Sequence, residues 1–285
     1  MLENKIKITE CPRDAMQGIH EFIPTQHKIN YINELIECGF DTIDFGSFVS
    51  PNAIPQMRDS AEVLSKLNLN SNTNLLAIVA NERGANEACA FDEINYVGYP
   101  FSISEEFQKR NTNSSIEETL KRIEAIQTKV IQSNKKLVLY ISMGFGNPYG
   151  EKWSPDLVLN WAERLYKLFN IEILALSDTI GSAKISDIEF LFQALIPNLP
   201  HIEFGAHMHV RPENAMSVIE AAFSAGCRRF DGAIRGFGGC PMAKDDLTGN
   251  MPTEKLIEFC NQNKIYTGVD YIKFQNALTA SSLVF

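Results

Sequence analysis

Two short stretches far apart in the chain, Cys11-Pro12-Arg13-Asp14-Ala15-Met16-Gln17 and Gly205-Ala206-His207-Met208-His209, place polar residues where an apolar run ends. Together they supply a carboxylate, two imidazoles and a guanidinium, a set suited to a divalent metal holding an oxygen-rich substrate. His207 and His209 are two apart. On a strand they would share one face, about 6.6 Å apart along the chain, with both rings in reach of one ion at about 2.1 Å. Asp14 would add a carboxylate, and an amide such as Asn250 is one candidate to complete the set. An isolated H-x-H is as readily one core and one rim histidine; an acid and an arginine in the matching layer of another strand shift the balance. With no thiolate among the ligands, the set suits Mg²⁺ or Mn²⁺ better than structural zinc, although zinc is compatible with it.

The segments that must bring these residues together alternate in type from end to end. Strand chemistry recurs at Lys5–Thr9, Thr42–Gly46, Leu75–Ala80, Ile94–Tyr99, Leu137–Met143, Ile173–Ser177, Ile202–His207 and Arg229–Ile234. Helical period occupies Gln26–Cys38, Asp59–Leu67, Arg83–Cys89, Ser115–Ser133, Pro155–Leu168, Ser186–Leu195, Glu213–Ala225 and Thr253–Asn263, with a last helix at Asp270–Ala280. Ser114-Ser115-Ile116-Glu117-Glu118 and Ser154-Pro155-Asp156 mark helix starts by a hydroxyl cap and early acids or proline. Gly39 and Gly226 mark ends. Eight β-then-α units without a long linker predict an α/β protein, a single (β/α)8 TIM barrel over residues 1–285 with an extra C-terminal helix. A doubly wound sheet is the competitor, but Gly-x-Gly-x-x-Gly does not follow the first strand.

In such a barrel, functional residues belong at the C-terminal ends of the strands. Arg13, Asp14 and Gln17 follow strand one, Asp44 and Ser47 close strand two, Asp178 follows strand six, and His207 and His209 end strand seven. Arg13 reads either as a salt-bridge partner of Asp14 or Asp44, or as a guanidinium that stabilises a developing oxyanion. Asp44 would hold Arg13 or a substrate hydroxyl; Asp178 would cap the following helix or face the mouth. After strand eight, glycines 236, 238 and 239 would allow a lid over the mouth, a catalytic loop at 236–250. Cys240 within it is either a small apolar plug or a thiol able to give or take a proton beside a cation.

Composition narrows the partners. The 285 residues carry a formal charge of −9, with 45% hydrophobic and 21% charged residues and no basic run longer than a pair. That argues against nucleic acid or an anionic membrane as the main partner and points to an ordinary soluble protein. Six scattered cysteines lack any C-x-x-C pair, as expected of reduced thiols in a cytoplasmic protein. The N-terminus lacks the basic-then-apolar pattern of a signal peptide, and no apolar run reaches a membrane span of about 18 residues. Pairing as a homodimer is open to a barrel, and no motif specifies it.

The residues resemble a known family. Besides the opening stretch, the chain has Ser47-Phe48-Val49-Ser50-Pro51-Asn52-Ala53-Ile54-Pro55-Gln56-Met57, Ser177-Asp178-Thr179-Ile180-Gly181, His207-Met208-His209, and Gly238-Gly239-Cys240-Pro241 with Thr248-Gly249-Asn250. In order and spacing these resemble 3-hydroxy-3-methylglutaryl-CoA lyases. The R-D-x-x-Q and H-x-H pieces are shared with isopropylmalate and homocitrate synthases. The resemblance implies a divalent metal, Mg²⁺ or Mn²⁺, bound by Asp14, His207, His209 and Asn250, with Arg13 at the reacting centre and Cys240 on a catalytic loop. The implied reaction splits an acyl-CoA, 3-hydroxy-3-methylglutaryl-CoA, into acetyl-CoA and acetoacetate, with Asp14, His207 or Cys240 as the base.

The chain departs from that pattern at Asp44, where glutamate is expected, at Ala15, where glycine is usual, and at Val210-Arg211-Pro212, where Asp-Thr usually follows the second histidine. Arg211 would meet an extra substrate carboxylate or pair with Glu213. The alternatives are an aldolase or Claisen-type condensing enzyme of the same barrel group, and an inactive barrel serving as a binding module.

Overall fold

The computed structural model describes residues 4–69, 72–239 and 248–285. In chain order the elements are β1 (Lys7–Glu10), α1 (Pro12–Gln17), α2 (Thr25–Cys38), β2 (Thr42–Ser47), α3 (Ser60–Leu64), β3 (Asn74–Ile78), α4 (Glu82–Cys89), β4 (Ile94–Ser102), α5 (Glu105–Thr112), α6 (Ile116–Gln132), β5 (Lys136–Ser142), α7 (Pro155–Phe169), β6 (Ile173–Asp178), α8 (Ile185–Asn198), β7 (Glu203–Met208), α9 (Ala215–Ser224), β8 (Arg229–Gly232), α10 (Thr253–Gln262) and α11 (Tyr271–Ser281). Every strand pairs in parallel with its neighbour, and β8 returns to β1 through Lys7↔Arg229 and Thr9↔Asp231, closing the barrel. The α/β alternation thus gives a (β/α)8 barrel, with α11 as the extra C-terminal helix.

Closure follows from the period of two along each strand. One set of alternate residues, such as Leu75 and Ala77 on β3 or Leu139 and Ile141 on β5, joins the large core beneath the helices. The other set, Leu76, Ile78, Val138, Tyr140, Ile173 and Ala175, forms a separate cluster inside the barrel. That apolar filling comes from β3, β5 and β6. On β1, β2 and β8 polar groups are buried instead: Thr9, Asp44, Asp231 and Arg229 are each at most 4% exposed. The interior is therefore divided into an apolar half and a charged half.

Local chemistry explains most boundaries. Ser115 and Glu118 form a reciprocal capping box that starts α6, and Ser154 caps α7 ahead of Pro155. Gly39 ends α2 at φ +81°, a conformation in which its N–H reaches Ile36 O. Two helices have no counterpart in the hydrophobic period. α1 is six residues long, too short to show one, and α5 (EEFQKRNT) buries Phe107 and Gln108 and is set by the Ser104 cap on Phe107 N. The region expected as one helix over Glu213–Ala225 begins as a 3₁₀ turn at Pro212–Asn214.

Candidate metal centre and active site

The chain turns into α1 directly after β1, where Cys11 N donates to Gly232 O (2.8 Å) across the barrel seam. Pro12 fits the first helical position because its missing N–H would have no partner there. This short helix turns Arg13 and Asp14 over the barrel mouth, each 7% exposed.

Arg13 is held on nearly every donor. Its Nε donates to Asp44 Oδ2 (3.0 Å), Nη2 to the same oxygen, and Nη1 to Asp14 Oδ1 (3.0 Å) and Gln17 Oε1 (2.9 Å). Of the five N–H bonds of a guanidinium, that leaves one on Nη2 for a substrate. Gln17 Nε2 also donates to Asp14 Oδ1 (2.7 Å). Burial pushes Asp44 up to about 6 even with Arg13 against it, so its charge is retained at neutral pH. Asp14 lies below the usual carboxylate range: burial opposes its charge, but Arg13 and both imidazoles outweigh it.

The histidines come from the opposite side of the seam. His207, on β7, is the register partner of Asp231 on β8, and its Nδ1 lies 3.1 Å from Asp231 Oδ2. His209 bridges Asn250 across the returning chain, and its Nδ1 lies 3.0 Å from Thr248 O. A carboxylate and a carbonyl can only accept, so both Nδ1 atoms carry the proton and both Nε2 lone pairs stay free to bind a metal. Burial lowers the His209 pKa to about 4, helped by the neighbouring His207. At His207 burial acts the same way but the Asp231 contact prevails and raises it.

Among the described residues, Asp14, His207 and His209 offer ligand atoms all within 4.8 Å of one another. Asn250 closes the group: its Nδ2 donates to Asp14 Oδ2 (2.7 Å) and to Phe237 O (2.9 Å). With the amide nitrogen so engaged, Oδ1 is the atom available as a ligand. One carboxylate, two neutral imidazoles and an amide oxygen fit a divalent cation. A second trio, Cys11, His207 and Asp231, is equally close. Burial and the surrounding acids push the Cys11 thiol well above its usual range, and Asp231 is taken by His207, so this trio supports the first site from below.

The mouth above is a cavity of about 140 Å³ that opens to solvent. Arg13, Asp14, Gln17, His207 and His209 form its charged side, Val49, Ile54, Ile78, Ala80, Pro100 and Phe107 an apolar wall, and Asn111, Thr112, Ser142, Ser177 and Thr179 a polar rim. Tyr140 stands between them, its ring edge-on to His207 with centroids 5.3 Å apart.

The structure thus brings together Arg13, Asp14, Gln17, Asp44, His207, His209 and Asn250. Ser47 is turned back on its own loop, donating to Ile78 O and accepting from Val49 N. Asp178 accepts from Ser182 N (3.0 Å) and Ala183 N (2.8 Å), shaping the turn into α8. Arg211 is exposed and lines a neighbouring cavity with Gly238, Thr248 and Asn250. Cys240 and most of the 236–250 loop lie outside the described residues. Sequence reasoning missed Asp231 and Tyr140. The signal for Asp231 was available: Arg229 and Asp231 alternate with apolar residues, placing two charges on one face of β8.

A closed parallel barrel with a carboxylate, two imidazoles and a guanidinium at its C-terminal mouth defines a metal-site (β/α)8 enzyme. The HMGL-like family model matches residues 5–283. The chain is 34% identical to the cytoplasmic 3-hydroxy-3-methylglutaryl-CoA lyase of Rattus norvegicus, covering 97% of this chain and 80% of that one. It is 32% identical to the hydroxymethylglutaryl-CoA lyase YngG of Bacillus subtilis, covering 96% and 91%. Among solved structures, a hydroxymethylglutaryl-CoA lyase from Pseudomonas aeruginosa superposes with a TM-score of 0.91 at 31% identity, covering 99% of this chain and 93% of that one. An HMG-CoA lyase from Acinetobacter baumannii in complex with coenzyme A and 3-methylmalate gives 0.91 at 28%, covering 100% and 92%. The chain belongs to the HMGL-like family, and its enzyme class is that of the hydroxymethylglutaryl-CoA lyase-like carbon–carbon lyases.

Proposed function

We propose that the protein cleaves 3-hydroxy-3-methylglutaryl-CoA to acetyl-CoA and acetoacetate with Mg²⁺ or Mn²⁺, the metal held by Asp14, His207, His209 and Asn250. The observation that carries this is the Asp14–His207–His209 cluster with Arg13 bonded to the same carboxylate at 3.0 Å. When bound, the ion would take the substrate's tertiary hydroxyl and a carboxylate oxygen and acidify the hydroxyl.

The chain's own residues supply the rest. A base at the mouth takes the hydroxyl proton; of Asp14, His207 and Cys240, His207 has its Nδ1 protonated against Asp231 and its Nε2 assigned to the metal, which leaves Asp14 and Cys240. The C–O bond then becomes a ketone as the adjacent carbon–carbon bond breaks, and its electron pair passes into the thioester enolate. Arg13 keeps its charge under all conditions of interest and offers its remaining Nη2–H to that enolate oxygen, fixed by Asp44 and Gln17 before substrate arrives. Returning a proton to the enolate carbon gives acetyl-CoA; the thiol of Cys240 is the proposed donor. The polar rim of Asn111, Thr112, Ser142 and Thr179 suits carboxylate and thioester oxygens. Arg211, in the neighbouring cavity, would meet an extra substrate carboxylate, while Ser47 and Asp178 act on the mouth only by shaping its loops. Free cysteines among the described residues and a cytoplasmic relative favour a cytoplasmic location.

Incubating the purified chain with Mn²⁺ or Mg²⁺ and 3-hydroxy-3-methylglutaryl-CoA should release acetoacetate, measured by coupled NADH oxidation. Tight metal binding without product would overturn the substrate and favour another hydroxy acid on the same barrel.

A further inference from the structure

Asp14 comes from α1, His207 from β7 and His209 from directly after it, whereas Asn250 lies where the chain returns from the loop after β8. Its amide must nonetheless face one way, nitrogen toward Asp14 Oδ2 and Phe237 O, for Oδ1 to be free as a ligand. The Asp14 bond alone leaves the amide free to swing about its own axis; the second acceptor, the Phe237 carbonyl, fixes it. What fixes Phe237 is therefore part of the site.

The backbone on either side of Phe237 is pressed inward. A Cβ on Gly238 would lie 2.7 Å from Asn250 Nδ2 and 3.0 Å from Asp14 O, so this limb runs in contact with the cluster. The Phe237 ring projects the other way, toward α11. There it stacks on Phe285, with centroids 4.4 Å apart and planes at 21°. Phe285 is itself positioned: its N–H donates to Ser281 O (3.0 Å), and its ring meets the buried Tyr31 of α2 edge-on at 5.9 Å. A second strut runs in parallel, from Arg235 Nη2 to Leu278 O on α11 (3.3 Å). α11 is anchored through Lys273 on Glu37 of α2 (2.8 Å) and through Phe274 against Phe40, just past the end of α2 (6.2 Å).

We propose that the Phe285–Phe237 stack is a positioning device for the metal centre: Phe285, in the segment after α11, clasps Phe237, whose carbonyl then holds the Asn250 amide in its ligating orientation. The inference rests on the metal site proposed above. Phe285 touches neither substrate nor metal, so it is a positioning residue acting through Asn250.

Mn²⁺ binding to the full chain, followed by electron paramagnetic resonance, tests it without reference to any substrate. Phe285→Ala releases Phe237 and lets the Asn250 amide turn, so it should raise the Mn²⁺ Kd about three- to tenfold, at or below the low end of the ~10–100-fold lost with a direct partner of a metal ligand. Phe285→Tyr should restore it, and Phe285→Leu, which keeps the apolar cover, should restore it only in part. The decisive arm is a double-mutant cycle. In an Asn250→Ala background, Phe285→Ala should leave the Mn²⁺ Kd within about twofold of Asn250→Ala alone. Losses that multiply in that cycle, or a Kd unchanged in Phe285→Ala while the metal-free melting temperature falls, would show that Phe285 is structural only and overturn the proposal. A wild-type chain that binds no Mn²⁺ would overturn the metal reading itself. Normal Mn²⁺ binding without acetoacetate would reject only the substrate.

Discussion

Replacing Arg13 with Gln separates chemistry from scaffolding, because the same guanidinium serves both. In the structure it neutralises Asp44, whose side chain is 1% exposed, and bonds Asp14 and Gln17, leaving one N–H for the substrate. Losing a preorganised oxyanion donor costs about 10²–10³ in kcat, or roughly 3–4 kcal/mol of barrier. Losing one partner of a buried pair costs stability as well, about 3–5 kcal/mol where the remaining charge stays ionised. The second term is pH-dependent with a definite sign. Asp44 is already raised to about 6 by burial, and without Arg13, its main stabiliser, it rises further. Arg13→Gln should therefore be least destabilised near pH 5, where Asp44 holds a proton, and most near pH 8. Adding Asp44→Asn removes the stranded charge, so Arg13→Gln/Asp44→Asn should recover most of the stability yet keep the full loss in kcat. Metal affinity should hold or tighten in both, because a cation next to Asp14 has gone. Urea denaturation at the two pH values, the acetoacetate assay and Mn²⁺ titration read the three quantities. Return of kcat in the double variant, or a loss of metal in step with the loss of rate, would refute the enolate role of Arg13.

The barrel was legible because each strand carries a short apolar run and most helices an apolar stripe, and the site because charged residues interrupt those runs at one end. Arg13, Asp14, His207 and His209 stand out for that reason. What was illegible depended on register or on side-chain direction. Asp231 supports His207 only because β7 and β8 pair with those two residues opposite. Ser47 and Asp178 have the residue types of a substrate-binding rim, but both turn back on backbone N–H groups of their own loops. Short polar side chains do this readily, and nothing in the residue type distinguishes the two directions. α1 is shorter than two helical turns, so no period announces it, although Pro12 is the right residue to start it. The Phe237–Phe285 stack joins residues that no local pattern links.

Two further substitutions address residues that the mechanism does not touch directly. Asp231→Asn replaces an acceptor-only carboxylate with an amide that can also offer N–H groups to His207 Nδ1, which would move the imidazole proton to Nε2 and block its lone pair. Loss of such a partner costs about 10–100-fold in metal affinity, and an unchanged Mn²⁺ Kd would refute the support role. Glu10 is buried where β1 meets the β8 end and α10, accepting from Ile234 N (2.8 Å) and Thr253 Oγ1. Burial raises it from 4.5 to about 8, those two hydrogen bonds offsetting only part of the rise. Below pH 4.5 it is protonated in folded and unfolded chains alike. Between 4.5 and 8 the unfolded chain releases a proton that the folded one keeps, so this residue's contribution to stability falls with rising pH, by up to ~1.4 kcal/mol per unit. Glu10→Gln keeps an oxygen for Ile234 N and offers an amide N–H to the Thr253 hydroxyl, and it has no proton to lose. Relative to wild type it should be near neutral at pH 5 and increasingly stabilising toward pH 8 in urea unfolding. A stability difference that does not change with pH would mean that Glu10 is ionised in the folded barrel, with its charge carried by the Ile234 and Thr253 hydrogen bonds.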